Sequence, residues 1–350
     1  MAYKNEKQII SGKDSEKLLK KQNIVNYEEL MDKLKKDEFI SIWKNNYKIN
    51  MESGFLSNER TRPISFLTNT QTITNIPVVL IVAGPSIDKN LHYLKNYQDN
   101  CIIICADVVL FKLIEHNIKP DFVVNIDPSD SIVRFWDFLD TSDLTLVCPT
   151  TSSPKVYETW KGNFFIYNQT DIKNLPKNEV LKKINKINKN WGSFYNRLFV
   201  GATMTQLAEL LKPSSIILIG YDFAFSDEKA YCDGFLDIKI YHLEDPVGSD
   251  AHTKMINKLK SDEIKKEVEI YVSKDQPSVW TSNTLNLYKK TYAEYAKKLP
   301  YKIINSTEGG ILTEFEKMPL KNSLEKYCNS PLKTKNFNII PKRKRNRKKR

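Results

Sequence analysis

The 350-residue sequence predicts an α/β fold: a mostly parallel sheet with helices on both faces. Two observations predict it. Short, continuous, β-branched apolar runs recur from Ile76 onward, each ended by Gly, Pro, Ser or Asp, as suits strands buried on both faces. Stretches of helical spacing separate these runs, which implies right-handed βαβ crossovers and parallel pairing.

Taken in order, residues 1–25 are lysine-rich and aperiodic and read as mobile. From Tyr27 to Ile49 the apolar positions Leu30, Leu34, Phe39, Ile42, Trp43 and Tyr47 recur at helical spacing, so a helix or two should pack on the main domain. A polar linker with turns at Ser53-Gly54 and Arg62-Pro63 follows. Then IPVVLIVAG is a strand, Ser86 and Asp88 can cap a helix to about Tyr97, CIIICAD is a strand, and VVLFKLIEHN a helix. DFVVNID is a strand, SIVRFWDFLD a helix, LTLVCP a strand, Lys155–Trp160 a short helix and NFFIYN a strand. After a polar connection come the helix ATMTQLAELL and the strand SSIILIGYD. Residues 224–282 form a polar excursion with helical stretches; Leu285–Leu299 is a helix, YKIIN a strand, STEGG a turn, and Met318–Lys335 closes the ordered part. The expected organisation is a mobile and helical segment at 1–75, a nucleotide-binding core at 76–320, and a basic, disordered tail at 321–350.

Composition is that of a globular protein, 41% hydrophobic and 27% charged. The net charge of +12 is concentrated at the end: Lys342–Arg350 carry eight positive charges. Such a tail either contacts a polyanion or is simply solvated. No stretch approaches the roughly 18 apolar residues of a membrane span. The N-terminus has no apolar core of a signal peptide, so a cytoplasmic location is expected. The five cysteines, at 101, 105, 148, 232 and 328, have no CxxC spacing and read as reduced thiols.

In an open, Rossmann-like sheet, ligands bind beyond the carboxyl ends of the strands, where helix N-termini point outward. Those ends are occupied here by Gly84-Pro85-Ser86, Asp107, Asp127 and Gly220-Tyr221-Asp222. Gly84 permits close backbone approach, and Ser86 offers a hydroxyl and helix-start amides, the physics of a phosphate cradle. Neither a GxGxxG fingerprint nor a Walker loop is present, which disfavours a standard dinucleotide dehydrogenase and a Walker-type NTPase. Asp107, Asp127 and Asp222 can each merely cap a helix; together at one edge they can hold ribose hydroxyls, bind Mg²⁺ or supply a general base. Gly201 and Thr203 present a second helix start to the same crevice, and His242 and His252 fall in the polar excursion, within reach of it.

AGPSIDKNL, IKPDFVVNID, VGATMTQLAELLKPSSIILIGYDFAF and INSTEGGILTEFEKMPL together resemble, in order and spacing, the bacterial motility accessory factors (Maf). These are flagellin glycosyltransferases that share a core with the MptE-like 6-hydroxymethylpterin diphosphokinases. The resemblance spans about residues 76–320. It implies a sialyltransferase-like core and transfer of a nonulosonic sugar from a CMP-activated donor to Ser or Thr of a protein such as flagellin, without an obligatory metal. By the same resemblance Gly84, Pro85 and Ser86 match the nucleotide turn, Asp107, Asp127 and Asp222 the acidic strand ends, and Gly201 the second glycine turn. Asn305, Glu308, Gly309 and Gly310 match the C-terminal segment. Where that family often has Gly-Gly-Ser-Val, this chain has Val200-Gly201-Ala202-Thr203.

Under this reading Ser86 and Thr203, with Gly84, Pro85, Asp127, Gly201, Tyr221 and Asn305, bind the nucleotide. The acceptor's proton passes to Asp107, Asp222, Glu308 or His252, among which sequence does not choose. The alternatives are an ATP-dependent diphosphokinase of the MptE type, with Mg²⁺ on Asp107, Asp127 and Asp222, and a non-catalytic nucleotide- or glycan-binding protein.

Overall fold

The computed structural model describes residues 37–69, 74–170, 179–197, 199–225, 229, 231–233, 268–273 and 276–332. The expectations for residues 1–25, for His242 and His252, and for the basic run 342–350 fall outside the described residues.

The chain enters through helix α1 (Asp37–Glu52), strand β1 (Thr61–Pro63) and helix α2 (Ser65–Asn69). It continues through β2 (Val78–Ile81), α3 (Ile87–Asn90, extended as a 3-10 helix to Tyr97), β3 (Ile102–Ala106), α4 (Leu110–Glu115), β4 (Phe122–Val124) and β5 (Thr145–Pro149). Then come α5 (Pro154–Thr159), β6 (Asn163–Thr170), α6 (Glu179–Ile187), β7 (Ser193–Tyr195), α7 (Val200–Leu210) and β8 (Ser215–Ile219). A hairpin of β9 (Val268–Ser273) and β10 (Gln276–Ser282) precedes α8 (Asn283–Ala296), β11 (Lys302–Asn305), β12 (Glu316–Lys317) and α9 (Leu320–Tyr327).

Ten strands form one sheet in the order β1-β6-β5-β4-β3-β2-β8-β11-β12, with β7 beside β6, and every pairing is parallel. The chain moves one way from β2 through β3, β4, β5 and β6, and the other way through β8 and β11. The strand order therefore reverses between β2 and β8, which makes that junction the topological switch point of the sheet.

Alternation sorts the strand side chains onto two faces. Val79, Ile81, Ile103 and Cys105 meet Leu110 and Leu113 of α4, Trp136, and Leu320 and Leu324 of α9. Val78, Leu80, Ile102 and Ile104 meet Met204 and Leu207 of α7 and Tyr292 of α8. Helices on both faces are thus what the apolar runs predict. All five cysteines are free and buried. Among the described residues no helix is long and apolar enough to cross a membrane.

Four expectations need correction. The boundary at 75/76 does not divide the sheet, because β1 pairs with β6; Arg62-Pro63 reads as a turn, yet proline is tolerated on an edge strand. The connection after β6 contains α6, whose Leu181 and Ile184 are buried while lysines cover its other side. The end of the polar excursion is an antiparallel hairpin rather than helix, since VEIYVS alternates with period two. Residues 321–327, expected in the tail, belong to α9, where Ser323 and Leu324 are buried.

Ile104 is fully buried in central strand β3, which pairs with β2 and β4. Ile104→Ala should lower unfolding free energy by about 2–5 kcal/mol in urea titration, with an unchanged slope.

Candidate functional site

The carboxyl ends of β8, β2, β3, β4 and β5 lie side by side on one rim and carry most of the polar side chains that the sequence singles out. The concavity lined by Asn75, Pro77, Asn100, Ser214, Tyr327 and Leu332 lies at the opposite, amino edge and holds none of them.

At the switch point the turn after β2 is built around Asp222. Ser86 Oγ donates to Asp222 Oδ2 at 2.7 Å, and Ser86 N donates to Asp222 Oδ1 at 3.3 Å. Gly84 N donates to Gly220 O at 3.1 Å. A Cβ at Gly84 would land on the Asp222 carboxylate and the Gly220 carbonyl, so only glycine fits. The NSTEGG segment closes over the same group. Gly310, at φ 68°, lies against the Asp222 backbone, and Ile311 N donates to Asp222 O at 2.8 Å.

The structure brings Gly84, Ser86, Asp222, Gly309 and Gly310 together, but the free phosphate cradle is not there. The amide and hydroxyl of Ser86 already hold the protein's own carboxylate. The next amides, Ile87 N and Asp88 N, close onto Gly84 O and Pro85 O, both at 3.3 Å. Ser86 itself has right-handed helical backbone angles and caps nothing.

Two strands away, Asp107 forms a second centre. Asn125 Nδ2 donates to its Oδ2 at 2.7 Å and Val108 N to its Oδ1 at 2.9 Å. Behind Asn125, Ser152 Oγ donates to Asn125 Oδ1 at 3.3 Å. Asp127 is exposed and accepts from Ser129 N at 2.8 Å; its charge also disfavours ionisation of Asp107.

Burial is the largest influence on both acids. It pushes Asp107 and Asp222 up to about 7, against the opposing hydrogen bonds from Asn125 and Ser86.

The other candidates have structural work. Glu308 Oε1 accepts from Leu320 N at 2.8 Å and from Asn90 Nδ2 at 3.0 Å, so it caps α9. Asn305 donates to Leu312 O at 2.7 Å and accepts from Thr307 N. Tyr221 N donates to Thr307 Oγ1, and Tyr221 Oη donates to Gly201 O at 3.1 Å. Gly201 is covered by the Phe199 and Tyr221 rings, and Thr203 is buried and bonded to the Tyr167 phenol, so neither offers itself at an open helix start. Pro85 is buried in the turn.

Sequence reasoning missed Asn125, Ser152, and Asn46 and Asn50 of α1. The polar run Thr150-Thr151-Ser152-Ser153 directly after an apolar strand was the available signal. It also missed a charged network at the same turn: Lys112 Nζ meets Asp88 at 2.6 Å, and Lys229 Nζ meets Asp88 at 3.2 Å and Asp233 at 2.7 Å.

Among the described residues no three His, Cys, Asp or Glu side chains gather to hold a metal ion, and the trio Asp107, Asp127 and Asp222 does not fit one. Their oxygens are engaged by Asn125, Val108, Ser86 and Ser129.

The family model described as "6-hydroxymethylpterin diphosphokinase MptE-like" matches residues 50–228, which run from α1 past Asp222. The chain belongs to the MptE-like family. The match includes both carboxylate centres of this MptE-like protein. Among solved structures it is similar to a Maf glycosyltransferase from Magnetospirillum magneticum AMB-1, with a TM-score of 0.50 at 14% identity. The alignment covers 73% of this chain and 37% of that one, and what the two share is the fold. The search of curated proteins returned no match.

A carboxyl with a folded value above its unfolded value prefers the protonated form in the native state. The native state then binds more protons than the unfolded one, and stability falls as pH rises from the ordinary 3.8 to about 7, then levels off. Asp107→Asn and Asp222→Asn should each remove part of that fall, at most about 1.4 kcal/mol per pH unit. Urea unfolding at a series of pH values checks this; a slope identical to wild type in both variants would refute the assignment.

Proposed function

We propose that this MptE-like protein is a glycosyltransferase of the Maf type. It moves a nonulosonic sugar from a CMP-activated donor to a Ser or Thr hydroxyl of a protein acceptor such as flagellin. The observation that carries the reading is Asp107: a buried carboxylate on the carboxyl rim, beside the switch point, with its proton affinity raised to about 7. A base at that value accepts a hydroxyl proton near neutral pH, which an ordinary aspartate does poorly. Of the four candidate bases, Glu308 is committed to capping α9 and Asp222 to Ser86, and His252 lies outside the described residues. The reading takes Asp107, whose donors are the local Val108 amide and the Asn125 carboxamide.

In the reaction the bond between the anomeric carbon and the phosphate oxygen breaks, and the CMP phosphate leaves with the electron pair. The acceptor oxygen bonds to that carbon and its proton passes to Asp107. The switch-point turn shapes the donor side of the rim through backbone and buried side chains, since its own donors are spent on Asp222. The basic residues 342–350 are assigned no part in this step.

The second reading, an ATP-dependent diphosphokinase, is favoured by the family's description. Among the described residues its three candidate carboxylates do not gather into one cluster. A ligand with affinity for the native state raises the melting temperature, so thermal shift with CMP, CTP, ATP and GTP, with and without Mg²⁺, separates the two readings. Stabilisation by CMP without metal is expected; a requirement for ATP with Mg²⁺ would replace the proposal by the kinase. With the donor in hand, turnover should rise with pH through about 7, and Asp107→Asn should lower kcat by about 10²–10⁴-fold.

A further inference from the structure

We propose that Ser152 and Asn50 are positioning residues for Asp107, holding the Asn125 carboxamide in the one orientation that turns its NH₂ toward the carboxylate. The inference deepens the reading of Asp107 as the base and rests on it for its catalytic meaning.

The two ends of a carboxamide are nearly the same shape, so its neighbours decide which end points where. At Asn125 the carboxylate takes the NH₂, with Nδ2 facing Asp107 Oδ2 at 2.7 Å, and the Ser152 hydroxyl secures the other end by donating to Asn125 Oδ1 at 3.3 Å. All three side chains are buried, so water does not substitute freely for a lost partner. Without the Ser152 hydroxyl the carboxamide is free to turn its oxygen toward Asp107. Two acceptor oxygens then meet, which is tolerable only if Asp107 is protonated.

The other groups facing Asp107 do not offset such a change. They are Cys105 on its own strand, Asp127 from the loop after β4 and Tyr167 on β6, and none of the three brings positive charge. The Cys148 thiol also neighbours Ser152. Pushed up to about 12 by burial, it is protonated and only a weak partner for the Ser152 hydroxyl, with which it also forms a hydrogen bond.

Ser152 is in turn held from outside the sheet. Asn50 Nδ2 donates to Ser152 O at 2.9 Å and to Thr150 O at 3.1 Å. One turn earlier on the same face of α1, Asn46 Nδ2 donates to Thr151 O at 3.1 Å and to Pro128 O at 3.0 Å. Both amide hydrogens of each asparagine are used, on carbonyls of loops that carry the polar ends of β4 and β5. Helix α1 thus reaches Asp107 through Asn50, Ser152 and Asn125.

The full-length protein, labelled with ¹³C at aspartate carboxyls, gives a resonance for Asp107 that Asp107→Asn identifies and that pH titration follows without any substrate. Ser152→Ala and Asn50→Ala should raise its midpoint by about one unit, a tenfold gain in proton affinity. Thr141→Ala serves as the control: it removes an equally buried hydroxyl, the acceptor for Lys161 N at 2.9 Å, and should leave the midpoint unchanged. A midpoint equal to wild type in Ser152→Ala, or an equal shift in Thr141→Ala, overturns the proposal; Ser152→Ala alone decides if Asn50→Ala does not fold. Because the titration reads Asp107 directly, a shifted midpoint with an unmoved turnover profile would uphold the positioning and remove Asp107 as the base.

Discussion

The contact on which the rim depends is the pair of hydrogen bonds from Ser86 to the Asp222 carboxylate. An open α/β sheet parts at its switch point, because the helices after the two central strands leave toward opposite sides. In many folds of this class that gap receives a ligand anion. Here the gap between β2 and β8 is spanned by a carboxylate of the protein itself. Its room is made by the missing side chains of Gly84, Gly309 and Gly310. The interaction ties together three segments distant in sequence, the turns after β2, β8 and β11, and leaves the charged chemistry of a ligand to neighbouring strands.

The two buried acids show how equal burial yields different roles. Both rise to about 7 through desolvation, yet their donors differ in kind. Asp222 is held by an amide and a hydroxyl of one residue within a packed turn, so its environment changes only if the turn does. Asp107 relies on a local amide and on a side-chain carboxamide that itself needs orienting. A group whose proton affinity depends on a chain of orientable dipoles can be tuned by packing some distance away. Nearby, Asp88 is held in a different way, between the ammonium groups of Lys112 at 2.6 Å and Lys229 at 3.2 Å.

The fold was legible because each core strand is a continuous apolar run, and burial on both faces leaves no other reading for such runs. β1 was hidden by Pro63, which marks a turn in isolation and an edge strand only once β6 is beside it. α6 was hidden by its lysines, which mask two buried positions in nine residues. At the site, residue type and strand end placed Asp107 and Asp222 on the rim, while the NSTEGG resemblance named Gly309 and Gly310 without bringing them to Asp222. What sequence could not reveal was direction. A serine after a glycine turn looks like a phosphate donor until the carboxylate that occupies it, 136 positions later, is seen in contact. Glu308 looks like a base until α9 is found to start on it.

The reach of α1 bears on where the functional unit begins. The family match starts at Asn50, within the last turn of α1, as though the helix were a leader to the conserved core. Yet Asn46, outside that match, bonds the same loop after β5 as Asn50 and adds a link to the end of β4 through Pro128 O. A carbonyl buried under a helix and stripped of its donor loses a hydrogen bond without regaining water, at a cost of about 1–3 kcal/mol. The four carbonyls beneath α1 are fixed in place by Asn46 and Asn50 while the helix covers them; with its first turns cut away, Thr151 O and Pro128 O lose the Asn46 donor. The physical unit that sets the Asp107 environment extends at least to Asn46, and a core trimmed to the family match would lose the support that keeps Asn125 aimed.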